Sequence, residues 1–427
     1  MGWWTTEPGS LRRPCVRSAV VAAAALVVAG CSGGDEQSTT TTSTIAVTTT
    51  TISPRPVDGT LDIGAFLPRT GPGAALGGPM IAAVEQAVAQ INVAGGVLGR
   101  EVDLTVVDES AGTGLDELLA EGVDAIIGPA SSTVALSQLA DAVNPVTGAV
   151  TCSPSATALA LDDYPDNKLF FRTVPSDSLE MVAIERRVEG TGVEGVAVGY
   201  LDDPYGRALK DVLVARIDET NEVTLQAQVG FEADQEELDE VAEQLLAGGP
   251  GVVVVLGDAD DGTRLLQALD AATSGVTPPL IVVNDAIRDG RQAIQSLTPR
   301  FRARLSGVAP LATARVEPGP EGFFTANAMD CVNLIALAAI QAGSENPAEI
   351  KTNMASVSSG GQQCADFADC AERLAEGLSI DYTGYSGDVE LSATTGERTR
   401  AWFEAFGFDE EGIDHTLDQP FEIVLDR

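Results

Sequence analysis

The sequence predicts an α/β protein whose sheets are parallel and covered on both faces. Short β-rich runs alternate with helical stretches from Leu61 onward, and the turns that follow those runs are small and polar. "LDIGAFL" opens the series at Leu61, and residues 78–94 follow as a helix because Ile81, Val84, Val88 and Ile91 keep helical spacing. "VDLTVV", "VDAIIG", "GVAVGY", "VVVVLG" and "LIVV" read as further strands, with helices expected over residues 208–217, 238–246 and 264–272. In such sheets ligands bind outside the carboxyl ends of the strands, so the turns "LPRTGPG", "GPASSTVAL", "CSPSAT", "LDDPYGRA", "LGDADDG" and "VNDA" are where function is expected. None contains a phosphate-binding GxxxxGK[ST], a GxGxxG opening a helix, or a GxSxG nucleophile turn.

The N-terminus carries a different signal. Arg12, Arg13 and Arg17 precede an apolar stretch over residues 18–29 that is too short for a stable membrane span, which reads as an export signal over residues 1–30. Val28-Ala29-Gly30-Cys31 resembles the bacterial lipobox, in which the cysteine thiol is acylated after cleavage. The expectation is a protein exported and lipid-anchored through Cys31 to the outer face of the cell membrane, two acyl chains sufficing to hold it there. Residues 31–58 are rich in Ser and Thr with almost nothing to bury, so they read as a disordered stalk.

Composition narrows the chemistry. The chain has 63 Asp plus Glu against 25 Lys plus Arg, a net charge of -38, which makes nucleic acid an unsuitable partner. His415 is the only histidine and sits in a polar run, so histidine-based catalysis and zinc sites are disfavoured, and no metal or cofactor is expected. About 370 residues remain after the stalk, enough for two domains with real cores. Of six cysteines, Cys15 leaves with the signal and Cys31 is acylated, leaving four in an oxidising compartment. Cys364 and Cys370 are close enough to close a small loop. Cys152 and Cys331 remain as a long-range pair, the alternative being two buried free thiols.

The turns occur in a familiar order. "IGAFLPRTGPGAALGGPMIAAVEQAVAQINVAGGVLGREVDLTVVDE", followed in register by "AIIGPASSTVALSQLA", "SPSAT", "FRTVPSD" and "DDPYGRALKD", resembles the substrate-binding proteins of ABC importers for branched-chain amino acids. The tail "DYTGYSGDVELSATTGERT" is similar to that family's closing segment. The resemblance implies a type I periplasmic-binding fold: two Rossmann-like lobes with parallel sheets, joined by a three-crossing hinge and closing on a ligand. It places the first lobe at 59–170 plus about 308–380 and the second at 171–307 plus about 381–427.

Site residues carry over position by position. Ser132 matches the serine that holds the ligand's α-carboxylate, at a helix N-terminus suited to an anion. Ser155 and Thr157 match the loop meeting the ligand's ammonium through the Ser155 carbonyl and its carboxylate through Thr157, and Tyr205 matches a second-lobe tyrosine that reaches the ligand on closure. Leu76 stands where the family has an aromatic residue and Gly257-Asp258 where it has a tyrosine, which puts an aliphatic side-chain pocket in question. Asp285 is assigned to the ammonium, with Asn284 one register step away, and Asp258 with Asp285 would suit a cationic or amide-bearing ligand. The implied function is capture of an amino acid or related amide or small carboxylate for an ABC permease. A ligand-sensing regulatory protein on the same fold is the alternative, and an enzyme is disfavoured.

Overall fold

The computed structural model describes residues 57–71, 73–220, 222–311 and 319–425. The expected export signal, the expected lipidation site Cys31 and nearly all of the expected stalk lie outside the described residues. The chain begins with β1 (Asp62–Leu67), α1 (Ala74–Val93), β2 (Asp103–Asp108), α2 (Gly114–Glu121), β3 (Ala125–Ile127), α3 (Ser132–Ala142), β4 (Val150–Ser153) and β5 (Phe170–Arg172). These strands form one all-parallel sheet in the order β2-β1-β3-β4-β5. Helix α1 starts four residues before the expected Gly78. Its first turn packs against the loop after β1 so closely that a Cβ on Gly77 would lie 1.8 Å from the Pro68 carbonyl oxygen.

The second run comprises α4 (Asp177–Glu189), β6 (Gly195–Leu201), α5 (Pro204–Thr220), β7 (Thr224–Phe231), α6 (Asp239–Leu246), β8 (Val252–Leu256), α7 (Ala259–Ala272), β9 (Leu280–Val283), α8 (Arg291–Ser296), α9 (Pro299–Arg302) and β10 (Leu305–Pro310). β8 is buried along its whole length, as its unbroken "VVVVL" requires of a strand covered on both faces. The chain returns to the first lobe as α10 (Thr325–Ala342), α11 (Pro347–Val357), β11 (Gln362–Cys364), α12 (Phe367–Ala375), β12 (Ile380–Gly384) and β13 (Gly387–Asp388). Helix α10 is buried from Thr325 to Ala339, matching a sequence that is apolar on all faces. It then ends in the second lobe as β14 (Arg400–Phe408), β15 (Asp414–Thr416) and β16 (Phe421–Val424).

The second-lobe sheet is therefore mixed. β6 to β10 are parallel, but β14 pairs antiparallel with β10, β15 and β16, because it arrives from the other lobe without a helical crossover.

The chain crosses between lobes after Arg172, after Pro310 and between Leu391 and Arg400, since Phe171 and Leu391 belong to the first lobe's core and Leu179, Ala309 and Ala401 to the second's. This moves two expected boundaries. β10, expected from 308 in the first lobe, is a second-lobe strand to Pro310. The segment from 381 to 391, expected in the second lobe, is tied to α10: buried Asp330 accepts hydrogen bonds from the Tyr382 hydroxyl (2.9 Å) and the Tyr385 and Ser386 N–H groups (2.8 Å each).

Two disulfides join Cys152 of β4 to Cys331 of α10 and Cys364 of β11 to Cys370 of α12. Around the crossings, fully buried Arg172 donates to Glu397 (2.7 Å), to Asp162 (2.5 Å) and to the carbonyls of Ala156 and Ala158 (3.2 Å each). Arg398 donates to the Thr173 carbonyl (2.8 Å), so the first and third crossings are laced together by guanidiniums.

Candidate functional site

The ends of β1, β3 and β4 from the first lobe and of β6, β8 and β9 from the second supply every residue expected at the site. On the first-lobe side, the cap of α3 and the serine expected to meet the ligand are different residues. Ser131 is the cap, its Oγ accepting from Val134 N–H at 3.5 Å. Ser132 Oγ accepts from Thr157 N–H (3.1 Å) and Ala158 N–H (3.2 Å), which fills both lone pairs and leaves its O–H to donate outward. A hydroxyl so held is a donor for a carboxylate or carbonyl.

Glu109 was not foreseen in this region. Its nearly buried carboxylate accepts from the Ala130 (2.7 Å) and Ser131 (2.9 Å) N–H groups that lead into α3. Burial raises its pKa while those two N–H bonds oppose the rise. It lies 21 residues from Ala130, in the short turn after β2, and nothing local in the sequence marks it.

Ser155 donates its hydroxyl to the Ala130 carbonyl at 2.9 Å, fixing the loop that carries Thr157. Thr157 accepts from Asp177 N–H through its carbonyl (3.0 Å), and its hydroxyl lowers the pKa of the Asp177 carboxylate. The expected carboxylate-binding hydroxyl thus already has an acidic neighbour.

The second-lobe side is acidic. Asp285 donates its N–H to Glu180 Oε1 at 2.8 Å, and Asp177 and Glu180, both on α4, are 2% and 0% exposed. Asp285 itself is partly exposed. Burial and then the Asp285 charge push Asp177 up to about 7 and Glu180 well above the usual carboxylate range. Asp285 is raised to about 6, chiefly by burial, against its bond to Ala286 N–H.

Tyr205 joins this group through its hydroxyl, which accepts from Asn284 Nδ2 at 3.3 Å, while burial and then the charges of Asp177, Asp285 and Glu180 keep it protonated. Asn284 also accepts from Gly257 N–H (3.1 Å), so it clamps β8 to β9, and it is Asp285 that adjoins the acids.

Asp258 does not join them. It is exposed and caps α7, accepting from Asp261 N–H at 2.7 Å. Leu76 and Asp285 meet across a cavity of about 360 Å³ that Phe323, Phe324, Leu311 and Arg288 also line. Phe324 takes a left-handed φ of 58°, an uncommon conformation for a bulky residue, at the second crossing. Arg288 is paired with Glu404 (2.6 Å) and Asp414 (2.7 Å). Among the described residues no group of His, Cys, Asp and Glu side chains could hold a metal ion.

Two α/β lobes, three crossings and facing polar strand ends define a type I periplasmic-binding fold, a class built to close on small solutes. Residues 60–359 match the periplasmic binding protein family, and the chain belongs to that family. It is 28% identical over 364 residues to BasB, a chemotactic signal transduction system substrate-binding protein of Halobacterium salinarum, covering 78% of this chain and 83% of that protein.

Among solved structures, an ABC transporter substrate-binding protein from Desulfitobacterium hafniense in complex with Leu matches with a TM-score of 0.62 at 19% identity, over 84% of this chain and 100% of the other. A branched-chain amino acid ABC transporter periplasmic ligand-binding protein from Burkholderia xenovorans matches with a TM-score of 0.65 at 13% identity, over 85% and 95%. LivJ of Streptococcus pneumoniae, a branched-chain amino acid transporter substrate-binding protein in complex with isoleucine, matches with a TM-score of 0.58 at 19% identity, over 84% and 99%. These likenesses establish the shared fold, and the relatives named are solute-binding proteins, not enzymes.

Proposed function

We propose that this protein is a lipid-anchored, extracytoplasmic receptor that captures an amino acid, or a related amide or small carboxylate, by lobe closure and delivers it to an ABC permease. It needs no cofactor and turns nothing over. The observation that carries the reading is a pairing of opposite chemistries across the cleft: Ser132 is an obligate outward donor on one lobe, and Asp285 with Tyr205 lies on the other. A zwitterion presents a carboxylate to the first and an ammonium to the second. Leu76 and the Phe324 side of the cavity would meet an apolar side chain. The ligands bound by two of the similar structures, Leu and isoleucine, belong to this class.

A thermal-shift screen of the common L-amino acids, short amides and small carboxylates tests the proposal. A ligand at about 100 times its dissociation constant adds roughly 2.7 kcal/mol to the folded state. Ser132→Ala should abolish the shift with the unliganded Tm retained, and a screen without any stabiliser would remove the reading.

The similarity to BasB supports a second reading, in which the liganded form reports to a chemotaxis receptor. Loss of labelled-ligand uptake on deleting the gene, with taxis intact, would favour transport. The reverse pattern would favour sensing.

A further inference from the structure

Among the described residues, Asp177 Oδ2 and Glu180 Oε2 are buried polar atoms without a hydrogen-bond partner. They belong to side chains that are 2% and 0% exposed, and like charges act between Asp177, Glu180 and Asp285. Three adjoining carboxylates without a counter-cation are costly in a dry interior, so they must hold protons or receive a positive charge from outside. The guanidiniums nearby offset this only in part. Arg172, whose charge lowers Asp177, makes its hydrogen bonds to Glu397, Asp162 and two carbonyls, and Asp162 adds negative charge. Near Asp285, Arg288 is held by Glu404 and Asp414, while Asp289 is another acid. Tyr205 offers a hydroxyl hydrogen but no charge, since its oxygen accepts from Asn284.

A primary ammonium has three N–H donors and one positive charge, the complement of this group. We infer that Asp177 and Glu180 act with Asp285 as a three-carboxylate receptor for a primary ammonium, so that the cleft selects ligands by that group ahead of the carboxylate. The inference rests on the amino-acid reading above and narrows it. Capture is then proton-linked: the ammonium enters with its charge and hydrogens, a carboxylic acid of the cluster loses a proton to water, and no covalent bond changes. Affinity therefore rises with pH across the range in which the unliganded acids would hold that proton.

Calorimetry on the full-length chain in detergent tests this with a matched set of probes: L-leucine, 3-methylbutylamine (the ammonium without the carboxylate) and 4-methylpentanoate (the carboxylate without the ammonium). The expected result is that L-leucine and 3-methylbutylamine bind at least about tenfold more tightly near pH 8 than near pH 5.5. 4-Methylpentanoate should bind at neither pH, and titrations in buffers of different ionisation enthalpy should show proton release.

Glu180→Gln should diminish that proton release and weaken both amines, a readout that loss of packing alone would not move. Asp177→Asn provides the independent second variant. Binding of L-leucine with no pH dependence, no proton release and no response to either variant would overturn the inference while leaving the amino-acid reading standing. Equal binding of 4-methylpentanoate and 3-methylbutylamine would do the same. No binding of any probe at either pH would overturn both.

Discussion

The two disulfides close loops of very different size, and that difference can be measured. Cys152 and Cys331 are 179 residues apart in sequence, Cys364 and Cys370 only 6. A crosslink removes conformations from the unfolded chain roughly as the logarithm of the loop it closes, giving about 5 kcal/mol for the long loop and about 2 kcal/mol for the short one. Cys152, Cys331 and Cys370 are fully buried and Cys364 nearly so, so replacing either pair by Ala leaves comparable gaps and the packing losses largely cancel. Cys152→Ala/Cys331→Ala should therefore cost about 3 kcal/mol more than Cys364→Ala/Cys370→Ala in urea denaturation. The denaturant slope should also rise more for the long-loop variant, because its unfolded ensemble expands further. Losses equal to within about 1 kcal/mol would refute the loop-length account.

Other outcomes follow from the site and the hinge. Asp177 is raised from an ordinary value of 3.8 to about 7, so the folded state holds its proton more tightly than the unfolded state. That contribution is complete below about pH 4 and is lost as pH rises through about 7, by up to about 4 kcal/mol for the cluster as a whole. In unliganded protein, Asp177→Asn should gain stability relative to wild type between about pH 5 and pH 8, and a constant or shrinking difference would contradict the linkage.

Arg172→Met would strand Asp162 and Glu397 at the first and third crossings and should cost about 3–5 kcal/mol in chemical denaturation; a loss below about 1 kcal/mol would show the lacing to be incidental. Gly77→Ala would put a methyl group 1.8 Å from the Pro68 carbonyl oxygen. It should lower the Tm and weaken ligand binding through its neighbour Leu76, with unchanged values for both refuting the close packing. Cys31→Ala should release the protein from membranes, and retention after a high-salt wash would rule out the lipid anchor.

The alternation that predicts parallel sheets is legible because covered strands such as "VVVVL" and "LIVV" must be apolar at every position, which no surface strand needs. The lobe boundary near 381 is not, because it depends on one distant carboxylate, Asp330, that gathers Tyr382, Tyr385 and Ser386 from 52 to 56 residues away. The antiparallel placement of β14 is equally nonlocal. At the site, Ser132, Thr157 and Asp285 stand out in the sequence because they occupy turns at strand ends. Asp177 and Glu180 do not, because acids in the first turn of a helix are what the helix dipole favours anyway, and the local pattern reads the same whether they face water or a cleft. Asp258 shows the converse: an acid in the right turn that caps a helix and stands apart from the other acids.

The distribution of positive charge accords with the proposed receptor for a cation. The chain carries 25 basic residues against 63 acidic ones, and the two guanidiniums laced around the crossings, Arg172 and Arg398, lie nearest its interior junction. There they bond to carboxylates and carbonyls of the hinge and are not free to meet a ligand. A buried guanidinium bonded through every side-chain nitrogen holds a junction in register while its neighbours move, which is a structural use of charge. The acids on the other side have no such partner, and Asp177 and Glu180 each keep an oxygen unmatched. On the proposed reading, guanidiniums committed to the hinge and the unmatched oxygens of Asp177 and Glu180 beside Asp285 favour closure around a positive group, with Ser132 left to donate to an acceptor on the same ligand.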